Sequence, residues 1–126
     1  MTVKYTVVPK KDPRDPAAQP KYYPIAVSKG YTDLREIAER IALISTVSTI
    51  DSMATLEALL LVIPEELADG RTMRLGGFGS FHLAIRSDGE AAPQDVGTHN
   101  VKRTKVHFKP GKVFQQMLNG LEFQKE

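Results

Sequence analysis

The stretch RLGGFGSF, Arg74 to Phe81, places three glycines and two phenylalanines within eight residues. Glycine has the greatest backbone freedom of any residue, whereas phenylalanine is among the largest apolar side chains. Two explanations fit this combination. The glycines either let the backbone bend tightly over an aromatic core, or they present backbone N–H groups to a ligand. The rest of the sequence decides between them.

The ligand explanation requires a phosphate-binding motif, and the stretch does not contain one. GGFGSF lacks the Lys-Ser/Thr pair of a P-loop, and its glycines do not have dinucleotide-binding spacing. Alternating apolar residues from Phe81 to Ile85 predict a strand after the glycines, where a phosphate-binding motif needs a helix. We therefore expect a tight bend between strands, with Phe78 and Phe81 packed beneath it.

Two amphipathic helices are predicted before this bend. Thr32 is a suitable N-cap for the first, in which apolar residues repeat at helical spacing. Ser48, with Asp51 three residues later, begins the second. The second helix is apolar on more than one side through LLLVI, which is typical of a helix at a subunit interface. Pro64 is expected to kink or end it, and Gly70 suits its C-cap.

Strands are predicted on both sides of the helices. Residues 3–8 and 21–28 have strand-like composition, and a proline-rich loop separates them. After the bend, strands over 81–85 and 101–108 flank a long loop or flexible arm, residues 87–100. Both faces of the last strand mix charged and apolar residues, which suits a two-stranded ribbon partly in solvent. A final helix and an extended tail complete the chain.

Side chains that could carry out catalysis are scattered along the sequence. His82, His99 and His107 have no second histidine or carboxylate at metal-ligand spacing, and the chain has no cysteine. The Glu65-Glu66 pair lies in a helical turn, and no serine has the context of a nucleophile. We therefore expect no enzyme activity, no metal, no cofactor and no small-molecule substrate.

The composition is that of one small globular domain, with 126 residues, 41% of them apolar and 25% charged. The longest apolar run, ALLLVI at 58–63, is too short to span a bilayer. The first residues lack the basic-then-apolar order of a signal peptide. These features predict a cytoplasmic protein without a membrane partner.

Charge is distributed unevenly, although the net charge is only +2. Residues 1–30 contain six Lys and Arg against two Asp, and residues 99–126 contain six against two Glu. The two ends are therefore basic and the middle is acidic. Such a distribution indicates either a solvated surface or a surface that contacts phosphates, and charge alone leaves both open.

Two motifs carry a resemblance to a known family. GRTMRLGGFGSF, residues 70–81, and FKPGK, residues 108–112, enclose the predicted arm and follow two helices. In this order they resemble the HU/IHF family of bacterial histone-like proteins, over roughly residues 31–120. The resemblance implies an α+β fold with a helical homodimer core, a small antiparallel sheet and a protruding β-arm. Members of the family bind the minor groove of duplex DNA with little base specificity and bend it.

The resemblance also implies a division of the chain. Residues 1–30 form an added N-terminal β extension with the proline-rich loop, and residues 31–126 form the HU-like domain, with its arm at about 86–104. The implied function is non-sequence-specific binding of double-stranded DNA by an architectural homodimer of the bacterial nucleoid. Because lysine and arginine neutralise phosphates, such binding is expected to weaken with salt.

Roles for single residues follow from the same resemblance. The family's structural turn corresponds to Gly77, Phe78, Gly79 and Phe81. The candidate DNA-binding residues are Arg86, Pro93, Lys102, Arg103, Lys105, Lys109 and Lys112. The proline falls near the middle of the arm, where it is either a wedge between base pairs or an ordinary turn residue.

The arm tip departs from the basic pattern of the family. It carries Asp88, Glu90 and Asp95, and carboxylates repel the phosphates of DNA. The alternative function is therefore an HU-fold protein-interaction or structural module that has lost strong DNA binding. The added N-terminal strands, which could pair with the edge of a partner's sheet, also favour this alternative.

Overall fold

The computed structural model describes residues 1–126 and contains three α-helices and two three-stranded sheets, so the expected mixture of helices and small sheets is confirmed. The chain divides into two compact units, residues 1–33 with 117–126, and residues 34–116. None of the helices is long and apolar enough to cross a membrane. The elements are β1 (Thr2–Lys10), β2 (Lys21–Ala26), α1 (Leu34–Ile44), α2 (Thr49–Ala68), β3 (Met73–Arg74), β4 (Gly79–Ser87), β5 (Val101–Pro110), α3 (Lys112–Asn119) and β6 (Glu122–Lys125).

A sheet of strand order β2-β1-β6 forms the first unit. β1 and β2 are antiparallel, with Val7 opposite Pro24, and β6 runs parallel to β1. Pro24 lies in an edge strand, which is the place in a sheet where a missing N–H is tolerated. The Glu126 N–H donates to the Tyr5 carbonyl at 2.9 Å, so the last residue bonds to the strand that begins the chain.

Local hydrogen bonds fix both ends of α2. At its start, the Ser48 hydroxyl accepts the Asp51 N–H at 3.1 Å, which confirms the predicted N-cap. Beyond its end, the Arg71 N–H donates to the Glu66 carbonyl at 3.1 Å. The chain turns between them at Gly70, whose φ is 83°, and this is the terminating geometry of a Schellman motif.

Pro64 lies inside α2, which continues to Ala68. Pro64 was expected to kink or end the helix, and the helix does not end there. A proline in a helix removes one N–H donor, here the partner of the Leu60 carbonyl. In a helix of 20 residues that single missing bond is tolerated, because the following turn is held by the buried side chain of Leu67 and by the bonds at the helix end.

The second unit contains the antiparallel sheet β3-β4-β5. β4 and β5 form a long two-stranded ribbon, paired in one register from Gly79 opposite Pro110 to Arg86 opposite Arg103. The register then shifts at Ser87, which marks a β-bulge. The short strand β3 adds a third strand only at the base of the ribbon.

One face of the ribbon lies towards helix α2. A hydrophobic pocket separates the two elements and is open on its outer side. It is lined by Ile63, Leu67, Phe81, Leu83 and Val106. Since side chains alternate between the two faces of a strand, the opposite face of the ribbon is turned away from the helix.

Little apolar surface is buried within a single chain. Ala38 and Leu67 are its only buried apolar residues. The run LLLV at residues 59–62 of α2 is between 38% and 67% exposed. Successive residues point about 100° apart around a helix axis, so this stretch of α2 is uncovered on every side.

Candidate functional site

The glycine bend and the FKPGK segment contact each other directly. The Gly111 N–H donates to the Phe78 carbonyl at 2.9 Å, and the Val113 N–H donates to the Gly77 carbonyl at 3.1 Å. The Phe78 N–H donates to the Leu75 carbonyl at 3.2 Å. A side chain on Gly111 would collide with the Gly77 carbonyl, so this approach requires glycine. The Phe78 N–H and the Gly77 and Phe78 carbonyls of the bend therefore bond within the chain.

Four phenylalanine rings pack around this junction. Phe108 lies at the centre, with its ring centroid 4.9 Å from that of Phe81 and 5.3 Å from that of Phe78. The Phe114 ring lies 5.3 Å from Phe78, edge to face at 81°. Such pairs add about 0.5–1.5 kcal/mol each beyond the area they bury. The cluster fixes the base of the ribbon against the first turn of α3.

Strand pairing sorts the side chains of the ribbon onto two faces. The face towards α2 is apolar apart from one threonine and contains Phe81, Leu83, Ile85, Thr104, Val106 and Phe108. The other, called the basic face below, contains Arg74, Ser80, His82, Ala84, Arg86, Arg103, Lys105, His107 and Lys109. The expectation of two mixed faces was wrong, because the bulge takes Val101 and Lys102 out of the alternating register.

The basic face carries five cations and no carboxylate. None of the five forms an ion pair, since the ion pairs of the chain involve other residues. Arg86 lies directly opposite Arg103, and like charges in that position destabilise a sheet by about 0.2–1 kcal/mol. A surface of uncompensated cations attracts a polyanion.

The structure brings some of the candidate DNA-binding residues together and leaves others apart. Lys102 lies at the bulge, where its Nζ atom is 3.5 Å from an Asp88 carboxylate oxygen. Lys112 is the first residue of α3, and Pro93 begins a short 3-10 turn at the tip of the arm. The candidates that share the basic face are Arg86, Arg103, Lys105 and Lys109.

Three residues of the basic face with ionisable side chains were not among the candidates. Arg74 reaches this face because β3 pairs with β4 beside the glycine bend, so that Arg74 lies opposite Ser80. His82 and His107 are partners in the register, and their rings stack 5.5 Å apart at 21°. If the strands are paired in register outward from the glycine bend, all three residues are assigned to the basic face. No group of three or more histidine or carboxylate side chains in the chain could hold a metal ion.

The tip of the arm, expected to be a long loop or a flexible arm, is a long loop between β4 and β5 that contains two short 3-10 turns and is held by side-chain hydrogen bonds. Asn100 is only 3% exposed. Its Nδ2 donates to Glu90 Oε1 at 2.9 Å, and its Oδ1 accepts the Gly97 N–H at 2.9 Å. His99 Nε2 lies 3.3 Å from the same Glu90 oxygen. Asp88 also has a partner, the Lys102 ammonium, so two of the three carboxylates at the tip have polar partners within the chain.

Comparison with known families covers nearly the whole chain. Residues 1–125 match the model of a family described as an HU domain fused to wHTH, Ig, or Glycine-rich motif. No curated protein matches the chain.

The fold also occurs among solved structures. A crystal structure of a protein from Bacteroides vulgatus, assigned as a bacterial DNA-binding protein, matches with a TM-score of 0.66 and 15% identity over 98% of this chain. The match covers 47% of that protein, so this chain spans about half of its length. The HU protein of Anabaena, crystallised with DNA, matches with a TM-score of 0.56 and 25% identity, over 71% of this chain and 99% of its own.

Proposed function

The chain belongs to the HU-HIG family of HU domains fused to wHTH, Ig or glycine-rich motifs, and from this premise we propose that it binds double-stranded DNA without sequence specificity. The proposed role is that of a histone-like architectural protein that acts as a homodimer at the bacterial nucleoid, in the cytoplasm. The single observation that supports the proposal most is the basic face of the ribbon.

The basic face has the properties that a contact surface for a DNA backbone needs. Its five cations lie on a sheet surface turned away from α2, and no carboxylate interrupts them. Contacts to phosphates carry no sequence information directly, which fits binding without base preference. The proposed contacts are Arg74, Arg86, Arg103, Lys105 and Lys109, together with Lys112 at the base of the arm and Pro93 at its tip.

A second copy of the chain is the proposed partner of helix α2. Residues 59–62 are exposed around the whole helix, which is unusual for a monomeric soluble protein. Burying one leucine or valine side chain stabilises a protein by about 1.5–3 kcal/mol. Pairing of two such helices would remove this apolar surface from water and would supply two arms to one duplex.

The proposal is tested by neutralising the middle of the basic face. We expect Arg103→Gln with Lys105→Gln to weaken binding to a 20-base-pair duplex, measured by fluorescence anisotropy at several salt concentrations. Each lost phosphate contact reduces the slope of log K against log salt concentration by about 0.9. Far-UV circular dichroism would verify that the variant remains folded.

Lys102→Gln is the matched control. Lys102 is adjacent in sequence, but it lies at the bulge and already has Asp88 as a partner. We expect this variant to change the affinity and the salt slope less than Arg103→Gln alone or Lys105→Gln alone. Binding that the double substitution leaves unchanged, or a folded wild type that does not bind DNA, would refute the proposal.

The alternative function, an HU-fold protein-interaction or structural module, is favoured by the sheet of the first unit. Tyr22 and Phe123 on that sheet are 68% and 63% exposed, and exposed aromatic side chains are typical of protein interfaces. A wild-type protein that is folded and dimeric but does not bind duplex DNA at low salt would support this alternative.

A further inference from the structure

A pair of stacked histidine rings occupies the middle of the basic face. His82 on β4 and His107 on β5 are directly opposite in the register, with ring centroids 5.5 Å apart and ring planes 21° from parallel. One row towards the base of the ribbon lies Lys109, opposite Ser80, and one row towards the tip lies Lys105, opposite Ala84. The histidine pair is therefore flanked by lysines on both sides.

Every charged group that faces this pair is a cation. β3 contributes Arg74, β4 contributes Arg86 one row beyond Lys105, and β5 contributes the two flanking lysines and Arg103. Helix α2 lies against the opposite face of the ribbon and presents no charge to these rings. The carboxylates of the tip lie beyond the bulge, where Glu90 bonds Asn100 and Asp88 pairs with Lys102.

Histidine is the side chain that ordinarily titrates closest to neutral pH. All charged neighbours of the pair are cations, so the basic face itself supplies no anion to a protonated ring. A phosphate group of DNA placed over the face would supply that anion and favour protonation.

We propose that the His82–His107 pair is a phosphate-binding position of the basic face and takes up a proton from solvent when DNA binds. This inference rests on the proposed function, since it names a site within the same surface. Two fully protonated rings at this separation repel each other, so the expected uptake is about one proton per arm. A proton held at this position lets a ring N–H donate to a phosphate oxygen with the strength of a charge-assisted bond.

Proton uptake makes DNA affinity depend on pH with a definite sign. Because the protein with bound DNA holds more protons than the free protein, affinity rises as pH falls through the titration range of histidine. Reciprocity requires bound DNA to increase the proton affinity of the pair by the same factor. Uptake of one proton corresponds to a tenfold change in affinity per pH unit in the steepest part of the curve.

The test measures affinity for a 20-base-pair duplex between pH 5.5 and pH 8.5, at constant ionic strength and with a chelator to exclude bridging metals. We expect wild-type affinity to increase about tenfold from pH 8 to pH 6. The variant H82Q/H107Q keeps polar side chains at both positions and is expected to show a flat profile. His99→Gln, at the arm tip, is the matched control and is expected to keep the wild-type profile.

A calorimetric measurement keeps the inference testable even if the double variant does not fold. Titration of the wild type with duplex in two buffers of different ionisation enthalpy reports the number of protons taken up on binding. Wild-type binding that is independent of pH and takes up no proton would overturn this inference and leave the proposed function standing. Absence of binding at every pH would overturn both this inference and the proposed function. Loss of the pH dependence in His99→Gln would assign the proton uptake to the arm tip and refute its assignment to the His82–His107 pair.

Discussion

Gly79 is the residue on which the bend of RLGGFGSF depends. Its φ is 149°, a conformation that other residues rarely adopt. A Cβ atom at this position would lie 2.5 Å from the Lys109 carbonyl oxygen and 2.6 Å from the Phe108 ring. One neighbour is backbone and the other is a packed ring, so neither can move aside without disturbing the base of the ribbon.

We expect Gly79→Ala to lower the free energy of unfolding by about 2–4 kcal/mol, because backbone strain and the collision act together. Urea denaturation followed by circular dichroism, at fixed protein concentration, measures the change. Gly89→Ala is the control: a Cβ atom at Gly89 meets nothing within 4 Å, so its effect is expected to stay below about 0.5 kcal/mol. Equal stability of Gly79→Ala and the wild type would contradict this account.

Single residues are predictable from sequence where local chemistry decides their role. The Ser48 cap is such a case, because a hydroxyl three residues before a free N–H is sufficient for the bond. The continuation of α2 through Pro64 is not, because it depends on how the following turn packs. Arg74 was missed for a related reason, since its place on the basic face depends on its pairing with β4.

The arm is amphipathic because polar and apolar residues alternate along β4 and β5, and the register places most polar residues of both strands on the same face. On the basic face the rows pair Ser80 with Lys109, His82 with His107 and Arg86 with Arg103, and on the other face they pair Phe81 with Phe108 and Leu83 with Val106. Two rows are mixed, Ala84 with Lys105 and Ile85 with Thr104. The sequence of β5 alone hides this pattern, because the bulge displaces Val101 and Lys102. A shift of one residue moves every side chain to the other face, so faces cannot be assigned until the register is known.

The tip of the arm depends on the side chain of Asn100. We expect Asn100→Ala to leave the Glu90 carboxylate and the Gly97 N–H without this partner, at a local cost of about 1–3 kcal/mol. Hydrogen–deuterium exchange measures the result, with faster exchange expected at residues 88–100 and unchanged exchange in α2.

Gln94, which is exposed at the same tip, is the control residue for this substitution. We expect Gln94→Ala to exchange like the wild type. Unchanged exchange in Asn100→Ala would show that the tip is held by its backbone turns rather than by this side chain. The sequence could not predict the folded tip, because three of its contacts join residues that are separated by nine to twelve positions.

The whole molecule leaves more apolar surface in water than a stable monomer ordinarily does. Only two apolar residues are buried within one chain, and the helix that should form its core is uncovered along residues 59–62. The sequence predicted this property from the run LLLVI, since a helix that is apolar on more than one side needs more than one covering surface. The surface that covers this helix was not predictable, because sequence periodicity does not identify what packs against an apolar face.

Leu61 tests the proposed homodimer. It is 67% exposed in the single chain, so in a monomer Leu61→Glu would be a surface substitution with little effect. In a dimer it would place a charge in an apolar interface, and we expect the dissociation constant to rise by about 100-fold or more. Sedimentation equilibrium at micromolar concentration measures the change.

Gln94→Glu introduces the same charge at the arm tip and is expected to leave the association unchanged. A wild-type protein that sediments as a monomer would remove the basis for a shared helical core. A dimer that survives Leu61→Glu would instead place the contact on a different surface of the chain.

Because Arg86 lies opposite Arg103, salt should stabilise the free arm but weaken the proposed complex with DNA. Salt anions screen the repulsion between the two guanidinium groups and so stabilise the pairing of β4 with β5 in the free protein. The same anions compete with DNA phosphates for the basic face. If the chain binds DNA as proposed, the salt concentrations that most favour the free ribbon are therefore those at which it binds a duplex most weakly. The closely spaced phosphates of a bound duplex would in turn reduce the repulsion between the two guanidinium groups.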